Sequence, residues 1–452
     1  MPDSLQRLFN VRPEERLPVL LAVLFFFCVL TALMVLRPAR EALGLRGGIE
    51  AVRWLFMGTA LVTLLVNPLF GLLVSRLPRL RFIAATYLFF AASLGAFYLL
   101  MTLAPGAVGV ASGQVFYVWF SVFNLFVTML FWALMADRFS LAQGKRFFGL
   151  IAVGGTCGAI FGPWLAGRLA EPLGTPALLL VAIGFLLLAL TAACGVALCQ
   201  PHRPRESDDE APVVEERERI GGSAWAGLRA LTRSRYLLGI AAYVVILAIM
   251  ATFLYFTRLQ MVAALGDDLD LRTAWFARID LITQVATLVM QALVAGHLMK
   301  RLGVAFTLAL LLLPMTTLLG FIGLAMVGSL AALIAFEAVF RAVQRALMRP
   351  ARETLYTVTS REEKYKAKAA IDTFVYRAGD VVGAQVEGAL GRLGMGLAAV
   401  ASVAVPLALA WAALALAWAA LALWLGRTQG HIAAEADAPA STTTLDSQGR
   451  PS

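Results

Sequence analysis

The chain is poor in the residues on which most protein chemistry depends. Only three of its 452 residues are histidine, and His202, His297 and His431 are scattered. Four are cysteine; Cys28, Cys157, Cys194 and Cys199 lie in apolar stretches, without metal-site pairing or a disulfide frame. No nucleophile–base set stands out, so the sequence predicts no enzyme, no metal and no cofactor. A phosphate-binding Gly-x4-Gly-Lys-Ser/Thr loop is missing too. "LAQGKRF" holds Gly144 and Lys145 but lacks the upstream glycine, which argues against a pump driven by its own ATP hydrolysis. Charge is also scarce, at 15% of residues.

What the chain has is apolar length. Sixty per cent is hydrophobic and the mean hydropathy is +0.80, more apolar surface than a water-soluble core can absorb. A bilayer-spanning helix needs about 20 mostly apolar residues. Such stretches occur at roughly 17–37, 53–75, 81–103, 113–136, 147–169, 175–198, 237–258, 274–299, 304–327, 329–349, 370–391 and 396–425. They do not alternate as barrel strands would, so the expected fold is an all-α membrane protein with twelve transmembrane helices. The first stretch reads as a span, not a cleaved signal peptide.

The formal charge of +10 could suggest a nucleic-acid partner, but its placement argues otherwise. Basic residues cluster in alternate loops, at Arg76, Arg79 and Arg81, at Arg138, Lys145 and Arg146, and at Lys300 and Arg301. That is the positive-inside pattern, which predicts a multi-pass protein of the cell (inner) membrane with both termini cytoplasmic. The partners expected are the bilayer and a small molecule, with no nucleic acid and a monomeric carrier.

A polar, proline-bearing segment, "QPHRPRESDDEAPVVEERERIGG", divides the spans six and six. The predicted organisation is a six-helix bundle over 1–199, a cytoplasmic linker over 200–235, a second bundle over 236–425 and a disordered tail over 426–452. The halves resemble each other. "GLLVSRLPR" after span two and "GHLMKRLGV" after span eight share Gly-x-Leu-x-x-Arg-Leu, and Phe123, Ala133, Leu134 and Met135 match Phe336, Ala346, Leu347 and Met348 at one offset. Tandem six-helix halves of this kind resemble the major facilitator superfamily, whose architecture implies a site between the halves near mid-membrane. The loop pieces resemble its signature at Gly71, Leu73, Arg76 and Arg79, with Ser75 at the usual aspartate. In span five Gly149, Gly158, Gly162, Pro163 and Gly167 have the spacing of its antiporter motif; close helix packing is the other reading of the same glycines.

Span ten is the most informative stretch. In "FEAVFRAVQRALMRPARE", Glu337, Arg341, Arg345, Arg349 and Glu353 recur every fourth residue and share a slowly drifting face. An arginine at mid-bilayer costs about 2.5–3.5 kcal/mol on insertion scales, so this face should meet a wet cavity or a partner. One reading is an internal ion-pair network, Glu337 with Arg341 and Asp372 or Asp380 with Arg345. The other is an anionic substrate, since guanidinium forks suit phosphate oxygens. The pentapeptide Arg-Pro-Ala-Arg-Glu occurs twice, at Arg37–Glu41 and Arg349–Glu353. Taken as span ends, the two copies guard opposite mouths of a path, with Glu41, Arg352 and Glu353 as gating or coupling groups; snorkelling charge after a proline break is the alternative.

Three stretches resemble one family, the plastid and intracellular-parasite ATP/ADP exchangers. "LRPARE" is similar to its Leu-Arg-x-x-Lys-Asp pattern, "FWALMADRFSLAQGKRFFGL" to its Phe-Trp and Lys-Arg-Phe-Tyr-like loop, and "EKYKAKAAID" (Glu363 to Asp372) to its entry into span eleven. The resemblance implies nucleotide exchange, with Arg40, Lys366, Lys368 and Asp372 at motif positions. The family's membrane acids fall at Phe120 and Leu254, which are neutral, so the resemblance extends to other phosphorylated or anionic substrates.

The sequence thus predicts an alternating-access antiporter of anionic metabolites, nucleotides first. Arg37, Arg40, Arg341, Arg345, Lys366 and Lys368 are the candidate substrate contacts. Glu41, Glu337, Arg349, Arg352, Glu353 and Asp372 are the candidate gating or coupling groups. Two other readings stand beside it: a proton-coupled drug or metabolite exporter, and a receptor or scaffold on a transporter frame.

Overall fold

A computed structural model describes residues 12–76, 79–104, 106–199, 234–295, 305–359, 367–368, 370–392, 416–429 and 432. It is helical throughout those residues. In the N-terminal half the helices are α1 (Arg16–Leu45), α2 (Gly48–Arg76), α3 (Arg79–Leu103), α4 (Ala107–Arg138), α5 (Leu141–Leu173) and α6 (Ala177–Cys199). In the C-terminal half they begin with α7 (Arg235–Ala263), α8 (Leu269–Met290, continued by a π turn Gln291–Ala295) and α9 (Ala305–Val327). They continue with α10 (Leu330–Val343, a π turn Gln344–Met348, then Arg349–Leu355), α11 (a π turn Ile371–Val375, then Tyr376–Arg392) and α12 (416–429). The protein is therefore an all-α membrane protein of twelve helices. Among the described residues, eight helices are long and apolar enough to cross a bilayer.

Helices are forced here because a lipid-facing backbone has no other hydrogen-bond partners. Their ends are marked by caps at the membrane borders. Ser140 accepts from the Gln143 amide at 3.2 Å while the Gln143 side chain accepts from the Ser140 amide, a capping box that starts α5. Asp268 opens α8 by accepting from the Asp270 and Leu271 amides.

Each half has its own core. Aromatic rings fill the first, with Phe26 stacked on Phe131 at 4.1 Å and Trp119 on Phe123 at 5.1 Å. α5 lies very close on α1. A Cβ added at Gly162 would sit 2.7 Å from Met34 Cβ, and one at Gly154 would sit 2.5 Å from the Val23 carbonyl oxygen. Gly158 faces the Phe27 carbonyl in the same way. Three glycines of α5 thus let two helix backbones touch. The second core gathers α7, α9 and α10 around Tyr243, Phe336 and Phe340.

The first helix departs from its expected length. The apolar pattern ends it near Arg37, but α1 runs through Pro38 to Leu45, 30 residues in all. Arg37–Glu41 is therefore helix interior, not a juxtamembrane break. Its proline costs one internal hydrogen bond, and the neighbouring helices hold the segment straight enough to continue.

Candidate functional site: a charge cluster between the halves

The extra length of α1 carries Arg37, Arg40 and Glu41 into the contact between the halves. Opposite them α7 contributes Tyr255 and Arg258, α8 contributes Asp280, and α10 contributes Glu337 and Arg341. Arg258 is the hub. Its Nη1 donates to Asp280 Oδ1 at 3.1 Å and to Glu337 Oε1 at 3.4 Å, and its Nη2 lies 3.8 Å from Glu41 Oε1. Arg258 is only 1% exposed, and Glu41, Glu337 and Asp280 are 2%, 2% and 3% exposed. An arginine so deeply buried survives because three carboxylates from three helices share it.

The outer arginines are held more loosely. Arg37 Nε stands 3.6 Å from Asp280 Oδ2, and Arg341 Nε stands 3.7 Å from Glu337 Oε1. Those distances exceed a normal hydrogen bond, and both acids already serve Arg258. One oxygen of each, Asp280 Oδ2 and Glu337 Oε2, is buried without a hydrogen-bond partner. Arg40 is held more firmly. It donates to Glu41 at 2.8 Å and to the Tyr117 carbonyl at 3.2 Å, and its guanidinium lies 3.6 Å from the centre of the Tyr117 ring. Glu41 also accepts from the Tyr255 hydroxyl at 2.6 Å, and that hydroxyl meets the Tyr117 hydroxyl at 2.6 Å. A polar chain thus runs from α4 through α7 to α1.

Beside this cluster opens a cavity of about 350 Å³. Arg37, Arg40, Arg341 and Arg377 line it, with Asp380 and Asn124 among its other polar groups. A second cavity, of about 280 Å³, lies between α1, α5 and α8 and includes Gln284, Gln291, Thr156 and Arg345. Arg345 donates to the Gln284 side chain rather than to an acid. The two acids considered for it lie elsewhere: Asp372 pairs with Arg352 at 3.0 Å, and Asp380 with Arg377 at 3.3 Å. The expected partners of Arg345 are thereby corrected. The π turn that begins at Gln344 breaks the simple four-residue stripe and sends Arg345 toward α8.

The remaining candidates divide. Arg349 is exposed. Lys368 pairs with Glu353, so that pair and the Arg352–Asp372 pair tie α10 to the start of α11 within one half. Lys366 lies outside the described residues, as do both loop-signature pieces in their side chains. The two copies of the pentapeptide do not sit at matching helix ends: the first is buried at the centre, and the second lies where α10 approaches α11.

Contacts between the halves gather at the centre and at the end opposite the start of α1. Arg53 of α2 donates to Glu387 of α11 at 2.7 Å and also to Glu50, and Arg392 reaches Glu50 at 3.2 Å. The Thr175 amide donates to Asp270 at 2.6 Å, and the Thr175 hydroxyl to Thr273 at 2.8 Å. Leu45, Val52, Phe256, Leu259 and Ile279 pack into an apolar plug below them. At the other end, Arg146 pairs with Glu15 at 2.8 Å inside the first half, as Arg352 and Asp372 pair inside the second.

The sequence placed Glu337, Arg341 and Arg345 inside the membrane but put Arg37 and Arg40 at a span end; the structure instead sets Arg37 and Arg40 beside Glu337 and Arg341 between the halves, with Arg345 on the second cavity. Sequence reasoning missed Arg258 as hub, Tyr117 and Tyr255, and the Arg53–Glu387 closure. The signal for Arg258 and Asp280 was present: a lone charge inside an apolar helix is a functional candidate by default. The tyrosines gave none, because tyrosine is ordinary in such helices.

Residues 19–384 match the family model described as Major Facilitator Superfamily. No curated protein matches the sequence. Solved structures share the fold. A bacterial homolog of the human lysosomal transporter Spinster, in an inward-facing and unoccupied conformation, superposes with a TM-score of 0.59 at 13% identity over 93% of this chain and 98% of that one. The nucleoside transporter NupG gives 0.62 at 11% identity over 92% and 99%. An auto-inhibited peptide transporter of the POT family gives 0.59 at 13% identity over 96% and 99%.

Proposed function

The chain belongs to the major facilitator superfamily, and from that membership we propose that it is an antiporter of anionic metabolites, with nucleotides the first class to test. The observation that carries this reading is the cavity of about 350 Å³ between the halves, where Arg37, Arg40, Arg341 and Arg377 outnumber the two acids of the lining, Glu41 and Asp380. Arginine forks bind phosphate and carboxylate oxygens in pairs and keep their charge at any working pH. A cationic drug would meet repulsion there, which weighs against a drug exporter. Two of the α5 motif glycines, Gly158 and Gly162, are occupied in packing on α1, which lends that alternative little.

The mechanism we infer is alternating access. With both termini cytoplasmic, the contacts of Arg53 with Glu387 and of Thr175 with Asp270 and Thr273 close the outer side, and the cavity would load from inside. Anion binding at Arg37 and Arg341 would compete with Asp280 and Glu337 for the same guanidinium groups. Those acids would then bear more fully on Arg258, drawing α8 and α10 toward α7, while the substrate held by Arg37 and Arg341 would bridge α1 to α10. Glu337 stands next to both Arg258 and Arg341, so it is the group best placed to couple substrate binding to helix movement or to carry a proton.

Counter-flow in proteoliposomes tests the reading. Vesicles loaded with an unlabelled nucleotide, AMP, ADP and ATP in turn, should accumulate the same labelled nucleotide for at least one of them, and empty vesicles should not. If no phosphorylated compound supports counter-flow in a well-folded preparation, the proposal fails.

A further inference from the structure

The charges buried or half-buried between the halves do not balance. Among the described residues Arg37, Arg40, Arg258, Arg341 and Arg345 stand against Glu41, Asp280 and Glu337, an excess of two positive charges; Asp380 is matched by Arg377, which is itself exposed. Arg40 with Glu41 and Arg377 with Asp380 cancel. Arg258 with Asp280 and Glu337 leaves one negative charge, against which stand Arg37, Arg341 and Arg345, so the surplus of two falls on those three arginines. The first two reach only acids already claimed by Arg258, and the third has the Gln284 amide oxygen as its partner. Arg341 precedes the π turn of α10 and Arg345 lies within it. Arg37 and Arg341 both line the larger cavity, and Arg345 lines the smaller.

Resting on the anion-exchange reading, we propose that the carried species is a dianion, a phosphate monoester, gripped by Arg37 and Arg341 with Arg345 supplying the remaining compensating charge. The argument is electrostatic. While a cavity is open to water, solvent screens an excess of two charges. When the halves close around it, the excess must be carried through a medium of low dielectric, where uncompensated charge is costly. A bound dianion brings the cluster to neutrality and removes that cost. A monoanion leaves one charge uncompensated, and a triphosphate reverses the sign and overfills the balance. The same balance gives a reason for exchange: the empty carrier meets the barrier that the loaded one avoids. The cavity volume agrees, lying at the small end of the range of roughly 300–1,000 Å³ for small-molecule sites.

The test is a binding titration of the purified full-length chain at pH 8, where a phosphomonoester is fully dianionic because its second proton leaves near pH 6. The probes are AMP, cyclic AMP, ATP and glucose 6-phosphate. AMP and cyclic AMP share base and sugar but carry two charges and one. AMP should bind about tenfold or more tightly than cyclic AMP, the value of one added charge-assisted contact, and more tightly than ATP. Glucose 6-phosphate should rank with AMP if the phosphate rather than the base is read. In Arg345→Gln, where the excess is one, the AMP to cyclic AMP preference should shrink about tenfold. This is a ratio within one preparation, so partial misfolding does not change it. ATP binding as tightly as AMP, cyclic AMP equalling AMP, or an unchanged ratio in Arg345→Gln would each overturn the dianion proposal while leaving anion exchange standing. If none of the four compounds binds, the anion-exchange reading itself is lost.

Discussion

Tyr255 of the C-terminal half donates its hydroxyl proton to Glu41 of the N-terminal half at 2.6 Å, in a contact fully enclosed by protein. Because the same hydroxyl touches that of Tyr117, one oxygen ties three helices from two halves. Tyr255→Phe keeps the ring and removes the tie, leaving Glu41 and Tyr117 each short of a partner. A loss of roughly 1–3 kcal/mol is expected, the penalty for leaving buried polar groups unsatisfied. A thermal-unfolding midpoint indistinguishable from the parent would show that water replaces the hydroxyl at no cost.

Arg258 should be the most costly arginine to remove. Arg258→Met leaves Asp280, Glu337 and Glu41 with one fewer shared cation in a buried site, and breaking such pairs costs about 3–5 kcal/mol. Adding Asp280→Asn should restore part of the loss, since it removes one of the stranded charges. A double-mutant cycle on purified protein measures this; strictly additive losses would contradict the hub.

Arg53 and Glu387 test the closure at the far end. Their pair is partly buried, with side chains 12% and 11% exposed, so Glu387→Gln should weaken it by about 1 kcal/mol. That shifts the balance between conformations roughly fivefold toward the state open at that end. Distances between spin labels on α2 and α11 should show a larger long-distance population. No change in that distribution would remove this pair from the gate.

Arg341→Lys should fail as a substitute. Lysine keeps the charge but loses the planar fork, so uptake of the transported anion should fall at least about tenfold while the midpoint of unfolding stays near that of the parent. Full activity in Arg341→Lys would mean that charge alone is read there.

Gly162→Ala examines the contact of α5 with α1. The new methyl group would come 2.7 Å from Met34 Cβ and 2.9 Å from the Thr31 carbonyl oxygen, so one of the helices must move. Overpacking of this kind costs about 1–3 kcal/mol. Gly149→Ala, where the added Cβ meets nothing within 4 Å, is the control and should be silent in the same melting assay.

Composition alone determined that this chain lives in a bilayer, because its apolar surface has no other solvent that would take it, and backbone hydrogen bonding then left helices as the outcome. The polar segment between spans six and seven marked two halves, and the span-ten stripe announced charge inside the membrane, since Glu337, Arg341 and Arg345 could not face lipid. What the sequence could not decide was which charge meets which. Pairing across helices depends on how far each helix extends and how it is rotated. α1 continues through Pro38 and so carries Glu41 to Tyr255; the π turn at Gln344–Met348 redirects Arg345 from the acids to Gln284. Arg258 became the centre only when α1, α8 and α10 each brought it a carboxylate, and such a convergence exists in three dimensions alone.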